Sequence, residues 1–266
     1  MTNITINLVK ILRYRTGLGI IECKNALIKS KGDIELAIDY LRKTGIKNFL
    51  KITKKDSKEG IIISGISRNN KYGIIIELNC ETDFVAKNKY FKNFCYEIIN
   101  TSLSKKIDNI KSIRDILKYK NKDIINKLGE NIKINRFNFL KGNYICSYIH
   151  NEKIGVLLCA NKYHNILKKI AMHIAASFPK YIDIKDIPNK VLKHEYNIQL
   201  EIAIKSGKSK EISKKIVTGR MKKFSENISL VNQHFIFNPK IIVKEILKEN
   251  DIFIKKFIYM KVNQNN

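Results

Sequence analysis

Gly60-Ile61-Ile62-Ile63-Ser64, then Arg68-Asn69-Asn70-Lys71, then Tyr72-Gly73-Ile74-Ile75-Ile76-Glu77-Leu78 is the stretch that decides the fold. Two runs dominated by β-branched residues flank a short polar connection, the signal of a β-hairpin. The period changes immediately afterwards. Phe91, Phe94, Ile98 and Ile99 recur at helical spacing, and a second helix-rich segment runs to about Lys127. The plan then repeats: Phe139 to Ile149 and Lys153 to Cys159 read as a strand pair around His150-Asn151-Glu152, followed by a helix carrying Ile166, Leu167, Ile170, His173 and Ile174. Two strand-hairpin-helix units of similar length predict a duplicated α+β core.

The preceding sequence is helical. Ile4, Leu8, Ile11 and Leu12 define a first helix that stops near Gly17, and residues 18–30 a second closed by Gly32. Asp33 is placed to cap a third, in which Leu36, Ala37, Tyr40 and Leu41 share a face before Gly45. The predicted domains are a three-helix bundle at 1–46, a lysine-rich linker at 47–59, a first core subdomain at 60–138 and a second at 139–266. Within the last, strand signal disappears at about 187–226. Leu192, Tyr196, Ile202 and Ala203 mark one helix and Ile212, Ile216, Met221 and Phe224 another, joined through Ser206-Gly207-Lys208. This reads as an antiparallel helical hairpin projecting from the core. Strand-like sequence resumes at Phe235-Ile236-Phe237 and from Ile252 to Val262.

Composition limits the functional classes. With 44% hydrophobic residues in 266, the chain can bury a substantial core and is no disordered tail. No apolar run reaches the ~18 residues of a membrane span, and the start leads straight into amphipathic sequence, so the expected location is cytoplasmic. Cys23, Cys80, Cys95, Cys146 and Cys159 are odd in number and scattered, and read as reduced, buried thiols. The formal charge of +27 invites a nucleic-acid reading. However, arginine occupies only seven of the 51 basic positions, and the lysines are spread along the whole chain. Specific nucleic-acid readout is therefore not expected.

Enzyme motifs fail on spacing. Gly207-Lys208-Ser209 lacks the glycine of a phosphate-binding loop, because Ile202 stands five positions before Gly207. Gly17-Leu18-Gly19 has Glu22 where a dinucleotide fingerprint needs a third glycine. His194-Glu195 has Ile198 where a zinc protease needs histidine. No catalytic residue, metal ligand or cofactor is predicted. His173 reads as a satisfied core histidine, whereas His150 sits in an exposed turn.

Residues 78–88, Leu78-Asn79-Cys80-Glu81-Thr82-Asp83-Phe84-Val85-Ala86-Lys87-Asn88, join a buried strand to a helix expected near Asn88. Asp83 and Phe84 either display function at this junction or serve as a hydrophobic staple and a helix-dipole partner; the local pattern leaves both open.

The string Thr82-Asp83-Phe84-Val85-Ala86-Lys87-Asn88 resembles the T-D-F-V-A-K/R-N signature of the elongation factor Ts family. So do Leu12-Arg13-Tyr14-Arg15-Thr16-Gly17-Leu18-Gly19, Cys23 to Leu27, Gly32 to Ala37, Gly129-Glu130-Asn131-Ile132, Met172 to Ser177, and Gly219-Arg220-Met221-Lys222-Lys223-Phe224. In order and spacing these matches cover nearly the whole chain.

The resemblance implies a ubiquitin-associated-type bundle, a two-part α+β core and a coiled-coil hairpin. It implies one partner, the GTPase elongation factor Tu, from which the factor promotes GDP release without binding nucleotide itself. Carried over, Asp83 and Phe84, flanked by Thr82 and Val85, are the wedge that disturbs the partner's magnesium and phosphate site. Arg13, Ile20, Ile21 and Lys24 map onto the bundle's partner contact, with Ile20 and Ile21 replacing methionines common there. Leu128-Gly129 and His150 map onto further contacts. Two departures accompany the likeness: His234 replaces a usual proline, and the sequence stops soon after Val262, where longer members continue into a helix that touches the partner. The expectation is heavier reliance on the bundle and the wedge. Readings from other classes are a basic RNA- or ribosome-associated protein and, from the bundle alone, a ubiquitin-like binding module.

Overall fold

The computed structural model describes residues 4–16, 18–43, 59–115, 124, 127–205 and 210–264. The predicted linker (apart from Glu59), the stops at Gly17 and Gly45, the Ser206-Gly207-Lys208 turn and residues 116–123, 125 and 126 of the helix-rich stretch before Lys127 lie outside them. The protein is α+β, and no described helix is long and apolar enough to cross a membrane. Two compact units are formed, Met1–Asp56 with Lys185–Glu226 and Ser57–Ile184 with Asn227–Asn266.

The first unit contains α1 (Ile6–Thr16), α2 (Ile20–Lys29) and α3 (Ile34–Lys43). Leu12, Leu18, Cys23, Ala26, Leu27, Ala37 and Leu41 form its core. Local sequence sets the boundaries. Glu22 Oε2 accepts from the Gly19 N–H at 2.8 Å at the start of α2. Gly32 ends that helix at φ +89°, donating to the Leu27 carbonyl, and Asp33 Oδ1 accepts from the Leu36 N–H to cap α3. Two further helices, α7 (Asn189–Lys205) and α8 (Lys210–Ile228), belong here. Asp39 and Lys43 of α3 meet His194 and Glu201 of α7 at 3.2 and 2.6 Å. Gln199 of α7 links Glu195 to Arg220 of α8.

The buried face of this helical pair coincides only in part with the residues that mark the helices in sequence. Glu195, Ile198, Ala203, Ser213 and Val217 are buried, whereas Tyr196 and Ile212 are exposed. The buried seam accepts small and polar residues and is rotated from the most apolar stripe.

The second unit is built in four layers. One antiparallel sheet has the order β1 (Glu59–Ile66), β2 (Tyr72–Cys80), β3 (Lys133–Lys141), and the other β4 (Tyr144–His150), β5 (Ile154–Ala160), β8 (Ile254–Lys261). Strand alternation distributes the side chains between layers. Ile61, Ile63, Ile74 and Ile76 face α4 (Asp83–Lys87) and α5 (Lys89–Ser104), while Ile62 and Ile75 meet Leu140, Ile145, Leu157, Cys159 and Met260 between the sheets. Val156, Leu158 and Ala160 face the other helical layer, α6 (Ile166–Ser177) and α9 (Val243–Glu249). In each half a hairpin is followed by helix, and a later strand returns beside the second strand of that hairpin.

Three sequence expectations need correction. Phe139 to Ile149 is not one strand: Phe139 and Leu140 end β3 and pair with β2, and the chain crosses to the other sheet at Gly142-Asn143. A Cβ at Gly142 would sit 2.2 Å from Cys159 Sγ, so the crossing is a close approach that only glycine fits without movement. At Phe235-Ile236-Phe237 the strand is short, β6 (His234–Phe235), paired with β7 (Asn238–Ile242), and Ile236 and Phe237 lie in the turn. The helix α9 after β7 escaped notice because its seven residues are too few for a strong period. Cys146 is only partly buried, unlike the other four thiols.

Alternation along β2 puts Glu77 on the same face as Ile75, where its side chain is fully buried, and the irregularity in the β2–β3 pairing leaves Asn135 as an extra residue opposite it. Arg136 and Asn135 donate to one carboxylate oxygen, and the Asn263 N–H donates to the other at 2.9 Å. Arg136 also donates to the Lys261 carbonyl, tying the two sheets together through one ion pair.

Candidate functional site

The chain leaves β2 at Cys80 and within three residues starts a helix. Asp83 and Phe84 therefore lie in the first turn of α4, not in an irregular connection ahead of Asn88. Thr82 makes this possible as the N-cap: it is extended (φ −123°, ψ 157°) and its hydroxyl accepts from the Val85 N–H. Asn88 ends α4 with a second extended residue (ψ 136°) and caps α5 by accepting from the Tyr90 N–H at 2.8 Å.

Burial divides the five residues of α4 sharply. Val85 and Ala86 join the core beneath the first sheet, with 7% and 3% exposure. Phe84 is 81% exposed, the largest exposure among the outward-facing apolar side chains of the described residues. Asp83 pairs with Lys87 one turn later at 2.7 Å. The hydrogen bond from Lys87 holds the pKa of the Asp83 carboxyl below its ordinary value, so this exposed acid stays ionised at neutral pH. An apolar ring thus stands beside a fixed negative charge, on a helix held from below.

A neighbouring turn braces the start of α4. Gly129 adopts φ +71°, a left-handed conformation natural to glycine, and the Glu130 carboxylate after it reaches the chain before α4. Glu130 Oε2 accepts from the N–H groups of Glu81 and Thr82 at 3.0 Å each, while Oε1 accepts from the Thr82 hydroxyl. In return Glu81 Oε1 accepts from the Asn131 N–H at 3.4 Å. Leu128 packs against the same core as Val85.

His150 ends β4 and is exposed, with Nδ1 2.9 Å from the Tyr148 hydroxyl. The turn after it uses positive φ at Asn151 and Glu152 and is tied to β1, since the Glu152 carbonyl accepts from the Ile62 N–H at 2.7 Å. Its Lys153 pairs with Glu59, and these two charges are felt by Asp83 and Lys87 respectively. Residues 82–85, 128–129 and 150 therefore belong to one region of the second unit. Arg13, Ile20, Ile21 and Lys24 belong to the first, where all four are exposed; Ile20 and Ile21 form an outward apolar pair on the first turn of α2.

In sequence Glu130 stands only within the Gly129-Glu130-Asn131-Ile132 match and has no assigned role. The described side chains offer little chemistry of their own. Burial raises the Cys80 thiol to about 11 and pushes Cys95 well above its usual range, so neither is a thiolate nucleophile at neutral pH. His173 is fully buried. Its Nδ1 accepts from the Ile236 N–H, so Nε2 carries the proton and faces Gln233 Oε1 at 2.9 Å. Among the described residues no group of three His, Cys, Asp or Glu side chains could hold a metal ion. The exposed Phe84 ring on its braced helical turn is an arrangement suited to contact.

Comparison with known proteins gives a consistent result. The family described as Elongation factor TS matches residues 81–264. A protein named Elongation factor Ts from Baumannia cicadellinicola subsp. Homalodisca coagulata is 48% identical over 267 residues, covering 99% of this chain and 95% of its own length. Relatives of the same name from Yersinia pestis (strain Pestoides F) and Yersinia pseudotuberculosis serotype O:1b (strain IP 31758) are each 45% identical over 265 residues, covering 99% of this chain and 93% of their own.

Proposed function

This chain belongs to the elongation factor Ts family, and from that membership we propose that it is a guanine nucleotide exchange factor for elongation factor Tu, acting in translation elongation in the cytoplasm. The α4 turn is the working element. Phe84, with Asp83, enters the partner's nucleotide domain and disturbs the elements that hold magnesium and the β-phosphate of GDP. Thr82 and Val85 hold the wedge from either side. Arg13, Ile20, Ile21 and Lys24 of a ubiquitin-associated-type bundle supply a second contact with the partner. Leu128-Gly129 and His150 supply others, the histidine facing a different partner domain.

The observation that carries this reading is the 81% exposure of Phe84 on a helix whose next two residues are buried. A large apolar ring left in water stores binding free energy that only a partner can release. Exchange follows from linkage: a factor that binds the empty GTPase better than its GDP form must weaken GDP by the same factor. The ring finds its pocket only where the partner has moved aside, so its burial favours the nucleotide-releasing conformation. On this reading the factor binds no nucleotide and needs no cofactor. The lysine-rich surface steers it toward acidic surfaces without specific nucleic-acid recognition. The helical pair α7–α8 is the family's coiled-coil hairpin.

The test is release of a fluorescent GDP analogue from elongation factor Tu, followed with and without this protein. Substoichiometric protein should accelerate release, and Phe84→Ala should remove most of the acceleration. Acceleration unchanged by the substitution would refute the wedge.

A further inference from the structure

We propose that Glu130 is the positioning residue of the exchange wedge: its carboxylate holds the chain entering α4 in the single conformation that presents Phe84. This inference rests on the reading above. One carboxylate takes three donors from two adjacent residues, the N–H groups of Glu81 and Thr82 on Oε2 and the Thr82 hydroxyl on Oε1. Consecutive backbone N–H groups converging on one anion form a fixed nest, and charge-assisted bonds of this kind are stronger than neutral ones.

The geometry also explains why the clamp acts on Phe84 and not merely on the fold. A helix of five residues cannot stabilise itself, because nucleation costs more than one or two hydrogen bonds return. The α4 turn therefore depends on its ends. At its C-terminal side Val85 and Ala86 are buried. At its N-terminal side the only side-chain cap is the Thr82 hydroxyl, which accepts from the Val85 N–H while donating to Glu130. Donating to Glu130 directs that hydroxyl, leaving its lone pairs free for the helix. Glu130 is itself fixed by Gly129 at φ +71° and by the return bond from the Asn131 N–H to Glu81. Phe84, one residue past the first helical position, has no such support of its own.

A wedge loosened at its entry must be ordered during binding, and that cost is subtracted from the free energy available to displace GDP. Glu130 bonds Thr82 at the flank of the wedge and acts on Phe84 through the turn.

The experiment is a double-mutant cycle on the full chain, using Glu130→Ala, Phe84→Ala and the combination, read by fluorescent GDP release from elongation factor Tu. Amide hydrogen exchange of residues 81–86 in the free protein is measured alongside. Glu130→Ala should speed amide exchange at Thr82 and Val85 and slow GDP release about tenfold, and it should add almost nothing to Phe84→Ala. If Glu130→Ala does not fold, Glu130→Gln, which keeps the shape but loses the charge, is read in the same way. The proposal is overturned if amide exchange and GDP release both stay normal. It is also overturned if Glu130 variants slow release equally with and without Phe84, which would place their effect elsewhere. Normal release in Phe84→Ala alone overturns the wedge reading itself, a result distinct from failure of the clamp.

Discussion

Phe84 and Val85 are adjacent in the chain, yet the first is 81% exposed and the second 7%. Within one short helix the backbone thus separates a side chain that builds the core from one left in solvent. Substitutions at the two positions should have opposite profiles.

Val85→Ala removes two methyl groups from the core beneath the first sheet. It should lower stability by roughly 1–3 kcal/mol through lost burial and an unfilled cavity. Urea unfolding followed by circular dichroism measures this. Phe84→Ala, changing only exposed surface, should stay within about 0.5 kcal/mol of the parent in the same experiment. Equal losses at the two sites would contradict the division.

Arg136→Met should be among the most damaging single changes. It strands the buried Glu77 carboxylate and breaks the link from β3 to the Lys261 carbonyl. Removing one partner of a buried pair costs about 3–5 kcal/mol. A loss under ~1 kcal/mol in denaturant titrations would show that the pair is not needed to join the sheets.

Gly142→Ala should destabilise by about 1–3 kcal/mol, since its new methyl group would overlap Cys159 Sγ. Cys159→Ala combined with it should recover part of the loss, a non-additivity expected for residues in contact. Thermal melting of the two single variants and the pair decides the matter.

Stability should fall on acidification partly through His173. Burial holds its pKa below the ordinary value of 6.5, and the hydrogen bond with Gln233 only partly opposes this. The folded state therefore binds the proton less readily than the unfolded chain. The contribution is fully present above about pH 6.5 and is lost as pH falls toward the lower folded-state pKa. Urea midpoints between pH 7.5 and 5 should show this slope, and His173→Gln should flatten it.

Much of this fold is legible in the sequence because local signals agree with tertiary demands. Gly32 and Asp33 mark the α2–α3 turn through a positive φ and an N-cap, and the isoleucine runs 61–63 and 74–76 alternate between two buried faces. The readings fail where tertiary context overrides pattern. Phe139 to Ile149 looks continuous because both its halves are strands, and only the close approach at Gly142 separates them. The α7–α8 seam misleads because Glu195 and Ser213 are buried while Ile212 is not. At the candidate site the α4 string is conspicuous, but its brace lies 48 residues later in sequence at Glu130, and no local period connects the two.

The most direct test of the wedge is to titrate this protein into nucleotide-free and GDP-loaded elongation factor Tu and compare the two affinities. The account predicts that the empty form binds more tightly and that Phe84→Ala weakens that complex by about 2–4 kcal/mol, as for loss of a buried anchor, while binding to the GDP-loaded form changes little. Equal weakening of both complexes, or of neither, would contradict it.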